Sequence, residues 1–419
     1  MLPKLKSLIR MLAGATNGRL PIVCVFGHPA MTLTTPVAED YEEDRLDCRC
    51  YASDAVLERV LSRDRPDVII TSGDRAAFPR LAGASFEVRK RWLHYEALPD
   101  RVRLGIDAYN CYLANLLGSS GAEAAPPLVT VFTATYRTGD RIRRPYDSLR
   151  EQTYSNWEWI VVDDSDDRGM TFDVLTRMAR TEYRMQVFRA SEHCGVIGRL
   201  KRWACSLGSG EILVELDHDD ALTDTALEMV VRGFQQFPQA GFLYTDCAEV
   251  FADGRNATYR DGWAFGYGHY TEVEYKGRIY KSGSGGNINA KTIRYITSAP
   301  NHLRAWRKSV YDAIGGHNRG LHVADDYELL VRTFLATRMA RVPKLGYIQH
   351  LGHTAQEARN RDIHRHVRAI REHYDAQIHE RLLALGCDDF CWDSRRGCSD
   401  YMLPNPAVES HATLIATGT

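Results

Sequence analysis

The sequence predicts two α/β layer domains in tandem, on three observations. Apolar, β-prone runs alternate with stretches of helical periodicity from residue 20 to residue 216, the pattern of strands and helices packed in layers. The alternation breaks once, at residues 118–127, where GSSGAEAAPP has the small residues and paired prolines of a linker. A chain of 419 residues also exceeds one ordinary core and suits two. The expected organisation is an N-terminal Rossmann-like α/β domain over residues 1–117, a linker over 118–127, a larger Rossmann-like α/β domain over 128–354, and a C-terminal helix and tail over 355–419.

In the first domain, residues 20–26 (LPIVCVF) read as a buried strand and residues 53–62 as a helix. A strand at 67–71, a mixed helical stretch at 87–92, a strand at 102–106 and a helix at 107–117 follow. No GxGxxG fingerprint or P-loop occurs there, so the domain shows no cofactor chemistry. In the second domain, strands are expected at 128–133, 157–162, 186–188 and 211–216. Helices are expected at 141–151, 171–180 and 198–207. Ligands of such open sheets gather at the carboxyl ends of the strands.

A net charge of -1 with 26% charged residues provides no basic field to gather nucleic acid, and none is expected as a partner. Ten scattered cysteines do not form a disulfide framework, which suits reduced thiols in the cytoplasm. Cys387, Cys391 and Cys398 lack a paired CxxC and an obvious fourth ligand for structural zinc. No run approaches the ~20 apolar residues of a membrane span. Residues 1–12 nevertheless place Leu2, Leu5, Leu8, Ile9 and Leu12 against Lys4, Lys6 and Arg10. Such a basic amphipathic helix either packs on its own domain or makes peripheral contact with the inner face of a membrane.

Acidic residues directly after apolar strands carry most of the chemical information. Asp163 and Asp164 follow WEWIVV, and Asp217, His218, Asp219 and Asp220 follow EILVEL. Both clusters belong at one edge of one sheet. Mg²⁺ or Mn²⁺ takes oxygen ligands and bridges one or two carboxylates to substrate phosphates. An isolated D-x-D is commonly only a solvated acidic turn, so order along the chain matters.

That order runs from Thr133, Thr135, Tyr136 and Arg137 through residues 148–154 (SLREQTY), 157–165 (WEWIVVDDS) and 208–220 (GSGEILVELDHDD). It resembles family 2 glycosyltransferases of the GT-A fold over roughly residues 128–354. The resemblance implies that Thr133, Thr135, Tyr136 and Arg137 form a nucleotide loop, with the tyrosine ring near the base. Asp164 matches the carboxylate that receives a uracil imide, which favours UDP, and Asp163 precedes it. Arg199 matches a basic position that holds nucleotide or phosphate. Asp219 matches the metal ligand, with Asp217 and Asp220 beside it contacting metal, ribose or sugar. His218 departs from the family's small residue there.

Further along, Trp306 with residues 307–309, Gly315, Gly316 and the Asp325-Asp326 pair resemble the family's acceptor half. An inverting transfer needs a carboxylate beside the acceptor hydroxyl. The second member of the pair, Asp326, is the expected base and Asp325 the alternative. The same two acids also suit a helix N-terminus. Residues 347–354 (YIQHLGHT) resemble the closing segment, making His350 a metal or diphosphate ligand and His353 an acceptor-side residue. Trp263, Phe265, Tyr267, Tyr270, Tyr275 and Tyr280, followed by glycine-rich residues 281–287, suggest an aromatic acceptor platform with a mobile lid, or an ordinary packed β-insert.

The resemblance implies a metal-dependent inverting enzyme using Mn²⁺ or Mg²⁺ in polysaccharide biosynthesis. It would move sugar from a UDP-sugar to a glycan, a lipid-linked acceptor or another hydroxyl. Nucleotidyltransferases share the architecture but begin with a glycine- and arginine-rich phosphate loop, and residues 133–140 contain only Gly139. A non-catalytic sugar- or nucleotide-binding scaffold would have no need of Asp164, Asp219 and Asp326 together.

Overall fold

The computed structural model describes residues 21–27, 47–99, 126–259, 269–284, 290–295, 300–352 and 356–384, with positions 104, 107, 108, 111, 112, 115, 408 and 409. Residues 1–12, 118–125, 260–268 and 285–287, His353, and Cys387, Cys391 and Cys398 lie outside the described residues, with the expectations attached to them. The chain divides into two compact units, residues 1–126 with 180–184, and residues 127–179 with 185–419.

In the first unit, β1 (Ile22–Phe26), β2 (Asp47–Tyr51), β3 (Val68–Ser72) and β4 (Trp92–Tyr95) form a parallel sheet in the order β2-β1-β3-β4. Alternate residues of β1 and β3 enter separate cores. Val23, Val25, Val68 and Ile70 pack with Leu104, Ala108 and Tyr112. Cys24, Phe26 and Ile69 pack with Leu57 and Val60 of α1 (Leu57–Arg63). A sheet covered on both faces accounts for the nearly continuous apolar runs. The fourth strand is residues 92–95, not 102–106, and Leu104 is helical. The helical stretch before it ends at Arg89, because Trp92 and Tyr95 favour the pleated edge beside β3.

The second unit is built on a mixed sheet. Its parallel part is β5 (Val129–Thr135), β6 (Trp157–Asp163), β7 (Met185–Arg189) and β8 (Ile212–Glu215), in the order β8-β5-β6-β7. The short β9 (Ala221–Leu222) follows, then the long β10 (Ala240–Phe251) and β11 (Asn256–Ala257). β12 (His269–Tyr275) and β13 (Arg278–Ser284) form a hairpin. β14 (Arg304–Arg307) lies antiparallel between β8 and β10, and β15 (Arg338–Leu351) runs parallel to β10.

Two layers of helices cover this sheet. Leu149 of α2 (Arg143–Arg150), Leu175 of α3 (Met170–Thr181) and Leu227 of α5 (Ala226–Gln236) pack on Val131, Trp157 and Trp159. Leu200 of α4 (Ile197–Leu207) and Leu330 of α6 (Asp325–Ala336) pack on Phe132, Ile160 and Val162. The C-terminal helix α7 (Gln356–Ala384) adds Val367, Ile370, Ile378 and Leu382 to that second core. Tyr374 also donates to Glu328 at 2.9 Å, so α7 is part of this unit. Among the described residues, no helix is long and apolar enough to cross a membrane.

Gly198 opens α4 where it meets α6. A Cβ there would lie 2.3 Å from the Asn318 carbonyl oxygen and 3.3 Å from the Asp325 Cβ, so glycine lets the two helix starts meet.

Candidate active site

The carboxyl ends of β5, β6 and β8 place Thr135, Asp163 and Glu215 at one sheet edge, and the site grows from there. Asp163 and Asp164 are neighbours with different tasks, because strand geometry turns successive side chains to opposite sides. Asp163 is buried, and its Oδ1 accepts from Thr135 Oγ1 at 3.0 Å and Ser165 Oγ at 2.5 Å. Ser165 Oγ in turn accepts the Arg137 amide at 2.8 Å, tying the segment after β5 to the end of β6.

Asp164 grips the following loop. Its two carboxylate oxygens accept the amides of Cys194 and Gly195, each at 3.0 Å, and His193 Nδ1 stands 2.8 Å from Oδ2. The His193 ring stacks on Tyr136, with centroids 4.8 Å apart, which exposes an aromatic surface at the sheet edge. Arg137 sits beside it with φ 46°, pairing with Asp166 at 2.6 Å. Arg199 is exposed on α4, its amide donating to the Val196 carbonyl at 3.1 Å, and its side chain has no hydrogen-bonded or charged partner among the described residues.

The acidic turn after β8 divides its labour. Asp217 and Asp219 remain partly open, with 33% and 25% side-chain exposure, while Asp220 is buried. Arg141 pairs with the Asp219 carboxylate at 3.2 Å, and Arg144 donates to its backbone carbonyl at 2.9 Å. His218 meets Thr138 Oγ1 at 2.9 Å through Nδ1. Asp220 turns inward, accepting from the Tyr347 hydroxyl at 2.9 Å and the His350 amide at 2.7 Å. Burial, then the charges of Asp217 and Asp219, push its carboxyl well above the ordinary range. Asp220 thus anchors the turn to β15, contrary to its expected place as an open ligand.

Beneath the turn lies a buried chain of charges. Lys201 Nζ contacts Glu215 and stands 3.6 Å from Asp217. Glu215 Oε2 is 3.5 Å from Arg304 Nη1, which donates to Asp326 at 3.1 Å. Burial pulls the Lys201 ammonium down, but Glu215, Asp217 and Asp325 outweigh it and hold it well above its usual value. For Glu215, burial acts upward and Lys201 with Arg304 prevail, so it stays well below the carboxylate range. His302 lies 3.8 Å from Asp217 and stacks on Tyr347 at 4.5 Å.

Asp325 and Asp326 open α6, yet only Asp326 faces outward, with 38% side-chain exposure. Asp325 is buried and pushed up to about 7 by burial, with Asp326 and Glu215 adding to it against Lys201.

Comparison with known proteins gives this geometry a family. Residues 130–290 match glycosyl transferase family 2. Over that stretch the chain is similar to family 2 glycosyltransferases. The O-antigen biosynthesis protein RfbC of Myxococcus xanthus is 24% identical over 212 residues, covering 50% of this chain and 15% of that protein. TuaG of Bacillus subtilis, provisionally named a teichuronic acid biosynthesis glycosyltransferase, is 30% identical over 129 residues, covering 30% of this chain and 50% of TuaG. The chain spans half or less of the length of either relative. Among solved structures, S. aureus TarS 1-349 in complex with UDP-GlcNAc gives a TM-score of 0.45 at 18% identity, covering 61% of this chain and 72% of that one.

Within the second unit, several expected site residues are structural. Thr133 is buried, donating to the Leu216 carbonyl at 2.6 Å and accepting from Trp159 at 2.8 Å. Trp306 is 1% exposed, with its indole donating to Thr333, so it is core and not an acceptor surface. Gly315 and Gly316 both take positive φ in a turn that Arg332 holds through the Ile314 and Gly316 carbonyls. A Cβ on Gly316 would strike the Tyr311 ring at 2.6 Å. Residues 281–284 lie in β13 and are not a loop, because Gly283 and Ser282 pair with both β12 and β10.

The same sheet edge also holds residues to which no motif in the sequence assigns a role: Lys201, Glu215, Arg304, His302, Tyr347 and His193. One signal was present. A glutamate inside ILVEL must be buried, and a buried acid requires a cation.

Proposed function

We propose that this domain is a metal-dependent, inverting transferase that moves a sugar from UDP-sugar to a hydroxyl acceptor. The observation that carries the reading is the continuous link from Asp217 through Lys201, Glu215 and Arg304 to Asp326. It holds an open acidic turn and an open carboxylate as two ends of one rigid device.

No cluster of three or more His, Cys, Asp or Glu side chains suited to a metal ion occurs among the described residues. Mg²⁺ and Mn²⁺ held jointly with substrate phosphates need only one or two carboxylates, and the partly open Asp217 and Asp219 fit that number. His350 is held neutral, with its pKa pulled down to about 4 by burial and the nearby Arg144 and Arg278, the state a ligand needs. The bound ion would supply Lewis-acid neutralisation of charge on the leaving diphosphate.

The protein's own groups do the rest. The Tyr136–His193 stack offers a face for the base, and Asp164 has lone pairs left for a uracil imide. Arg199, Arg141 and Arg144 offer positive charge to the diphosphate. Asp326, oriented by Arg304, accepts the proton of the acceptor hydroxyl as that oxygen attacks the anomeric carbon opposite the departing UDP. Membership of polysaccharide biosynthesis and a cytoplasmic location belong to the same proposal.

UDP with Mn²⁺ is expected to raise the melting temperature, and Asp219→Ala to remove that rise. Release of UDP from a UDP-sugar supports the transferase reading. Pyrophosphate from UTP would replace it with nucleotidyl transfer.

A further inference from the structure

The carboxyl ends of β10 and β15 carry a polar group that nothing above uses. Glu249 and Gln349 are register partners on these parallel strands, two residues beyond the pair Cys247 and Tyr347. Side chains two apart share a face, so Glu249 and Gln349 lie on the Tyr347 face, about 7 Å past it. Tyr347 is the residue whose hydroxyl accepts the Asp217 amide at 3.1 Å and donates to Asp220. The polar group is thus the next station beyond the acidic turn on the same surface.

Asn301 joins the two strands. Its Nδ2 donates to Glu249 Oε1 at 3.1 Å and to Gln349 Oε1 at 3.2 Å. A carboxylate only accepts, so Asn301 must turn its nitrogen to Glu249, and its two amide hydrogens serve this bridge, with Cys247 Sγ a longer third neighbour of Nδ2 at 4.0 Å. That leaves the second Glu249 oxygen and the Asn301 carbonyl as acceptors, and the Gln349 amide as a donor, in fixed relative positions. None of them has another partner among the described residues.

Glu249 is half-buried and has no ion-pair partner among the described residues, whereas Glu215, Glu328 and Asp246 are each paired with a cation. An acid in that position costs stability unless something else satisfies it. The walls are aromatic. Tyr270 pairs with Gly283, itself the partner of Cys247, and Tyr259 follows two residues after Ala257, the partner of Glu249, so both belong to the chain beside it. Burial and the charge of Glu249 push both hydroxyls up. The Tyr259 amide donates to Tyr270 Oη at 3.0 Å, and a Cβ on Gly283 would come within 3.2 Å of the Tyr270 ring.

We propose that Glu249, Asn301 and Gln349, flanked by Tyr259 and Tyr270, form a sugar-ring subsite that recognises neighbouring hydroxyls beside the diphosphate. The inference rests on the sugar-transfer reading. Alternating fixed acceptors and donors suit vicinal hydroxyls, each of which both donates and accepts, and the aromatic faces suit the C–H surface of a ring. The ring could belong to the donor or to the acceptor.

The test compares Glu249→Gln, Asn301→Ala and Gln349→Ala with the unmodified full chain. Calorimetry with UDP and Mn²⁺, then with a panel of UDP-sugars and Mn²⁺, is followed by donor hydrolysis and transfer to a saccharide panel. Unchanged UDP affinity certifies a folded nucleotide site in each variant, and Glu249→Gln keeps the shape of the side chain. A donor ring predicts at least a tenfold loss of affinity for the preferred UDP-sugar and not for UDP. An acceptor ring predicts unchanged UDP-sugar affinity and hydrolysis with at least a tenfold loss of transfer to saccharide. UDP-sugar affinity and saccharide transfer all within twofold of the unmodified protein in the three variants would overturn the subsite while leaving sugar transfer intact. Failure of the unmodified chain to bind any UDP-sugar with Mn²⁺ would overturn the transfer reading, and the subsite with it.

Discussion

Arg304 Nη1 stands 3.1 Å from Asp326 Oδ2 and 3.5 Å from Glu215 Oε2, so one buried guanidinium joins the start of α6 to the end of β8. The link explains how the Asp326 carboxylate and the acidic turn after β8, far apart in the sequence, hold a fixed relation. It also identifies where the domain is most sensitive to substitution.

Glu215→Ala leaves Lys201 and Arg304 buried without their shared partner. A loss of about 3–5 kcal/mol is expected, as for removal of one member of a buried pair. Urea denaturation checks it. The double variant Glu215→Ala with Lys201→Met should recover part of the loss, and a cost below about 1 kcal/mol for the single change would contradict this role.

His317 supplies a pH dependence of stability. It is fully buried and accompanied by Tyr311 Oη at 2.7 Å, and burial, together with the charges of Lys201 and Arg304 and against those of Glu215 and Asp326, brings its pKa from 6.5 down to about 3. The unfolded chain takes up a proton below 6.5 that the folded chain refuses until about 3. Stability contributed at neutral pH is therefore lost progressively as pH falls through that window. His317→Phe should flatten the slope of stability against pH between 6.5 and 4, and an unchanged slope would reject the assignment.

Asp219 and Asp220 should separate metal binding from architecture. Asp219→Ala should abolish the Mn²⁺-dependent part of UDP binding with little change in stability. Asp220→Asn keeps an oxygen for the His350 amide and a polar partner for Tyr347, so Mn²⁺-dependent UDP affinity should stay within about threefold, under 1 kcal/mol. Equal loss in both variants, read by calorimetry, would return Asp220 to the metal.

Trp306→Ala should destabilise the domain by about 3–5 kcal/mol, as for other buried aromatic truncations. UDP affinity per folded molecule should be unchanged, because the indole packs against Phe242 and Tyr311 and not at the sheet edge. A selective loss of activity in a fully stable Trp306→Ala protein would show that the ring reaches substrate.

Strands that end in acids were legible in the sequence, because WEWIVVDD and ILVELD combine β-prone runs with charges too costly to bury at random. The division of labour within each acidic cluster was not legible. Asp163 and Asp164, or Asp219 and Asp220, are the same chemistry one residue apart, and only backbone direction decides which faces inward. Lys201 and Arg304 read as ordinary surface charges until α4 and β14 close over Glu215. Glycine- and serine-rich residues 281–284 read as a loop, and pairing with two neighbouring strands made them one. Trp306 and Gly316 belong to a segment that resembles an acceptor half, yet resemblance preserves packing as well as chemistry. Their burial assigns them to packing.

We propose that Asp326 accepts the proton in a transfer whose donor is held by the Asp217–Asp219 turn. The most direct measurement is the rate of UDP release from UDP-sugar by Asp326→Asn and by the unmodified chain, with UDP and Mn²⁺ affinity measured alongside. A fall of about 10²-fold or more in the rate of Asp326→Asn is expected, with binding intact. Release at the unmodified rate with binding intact would contradict it.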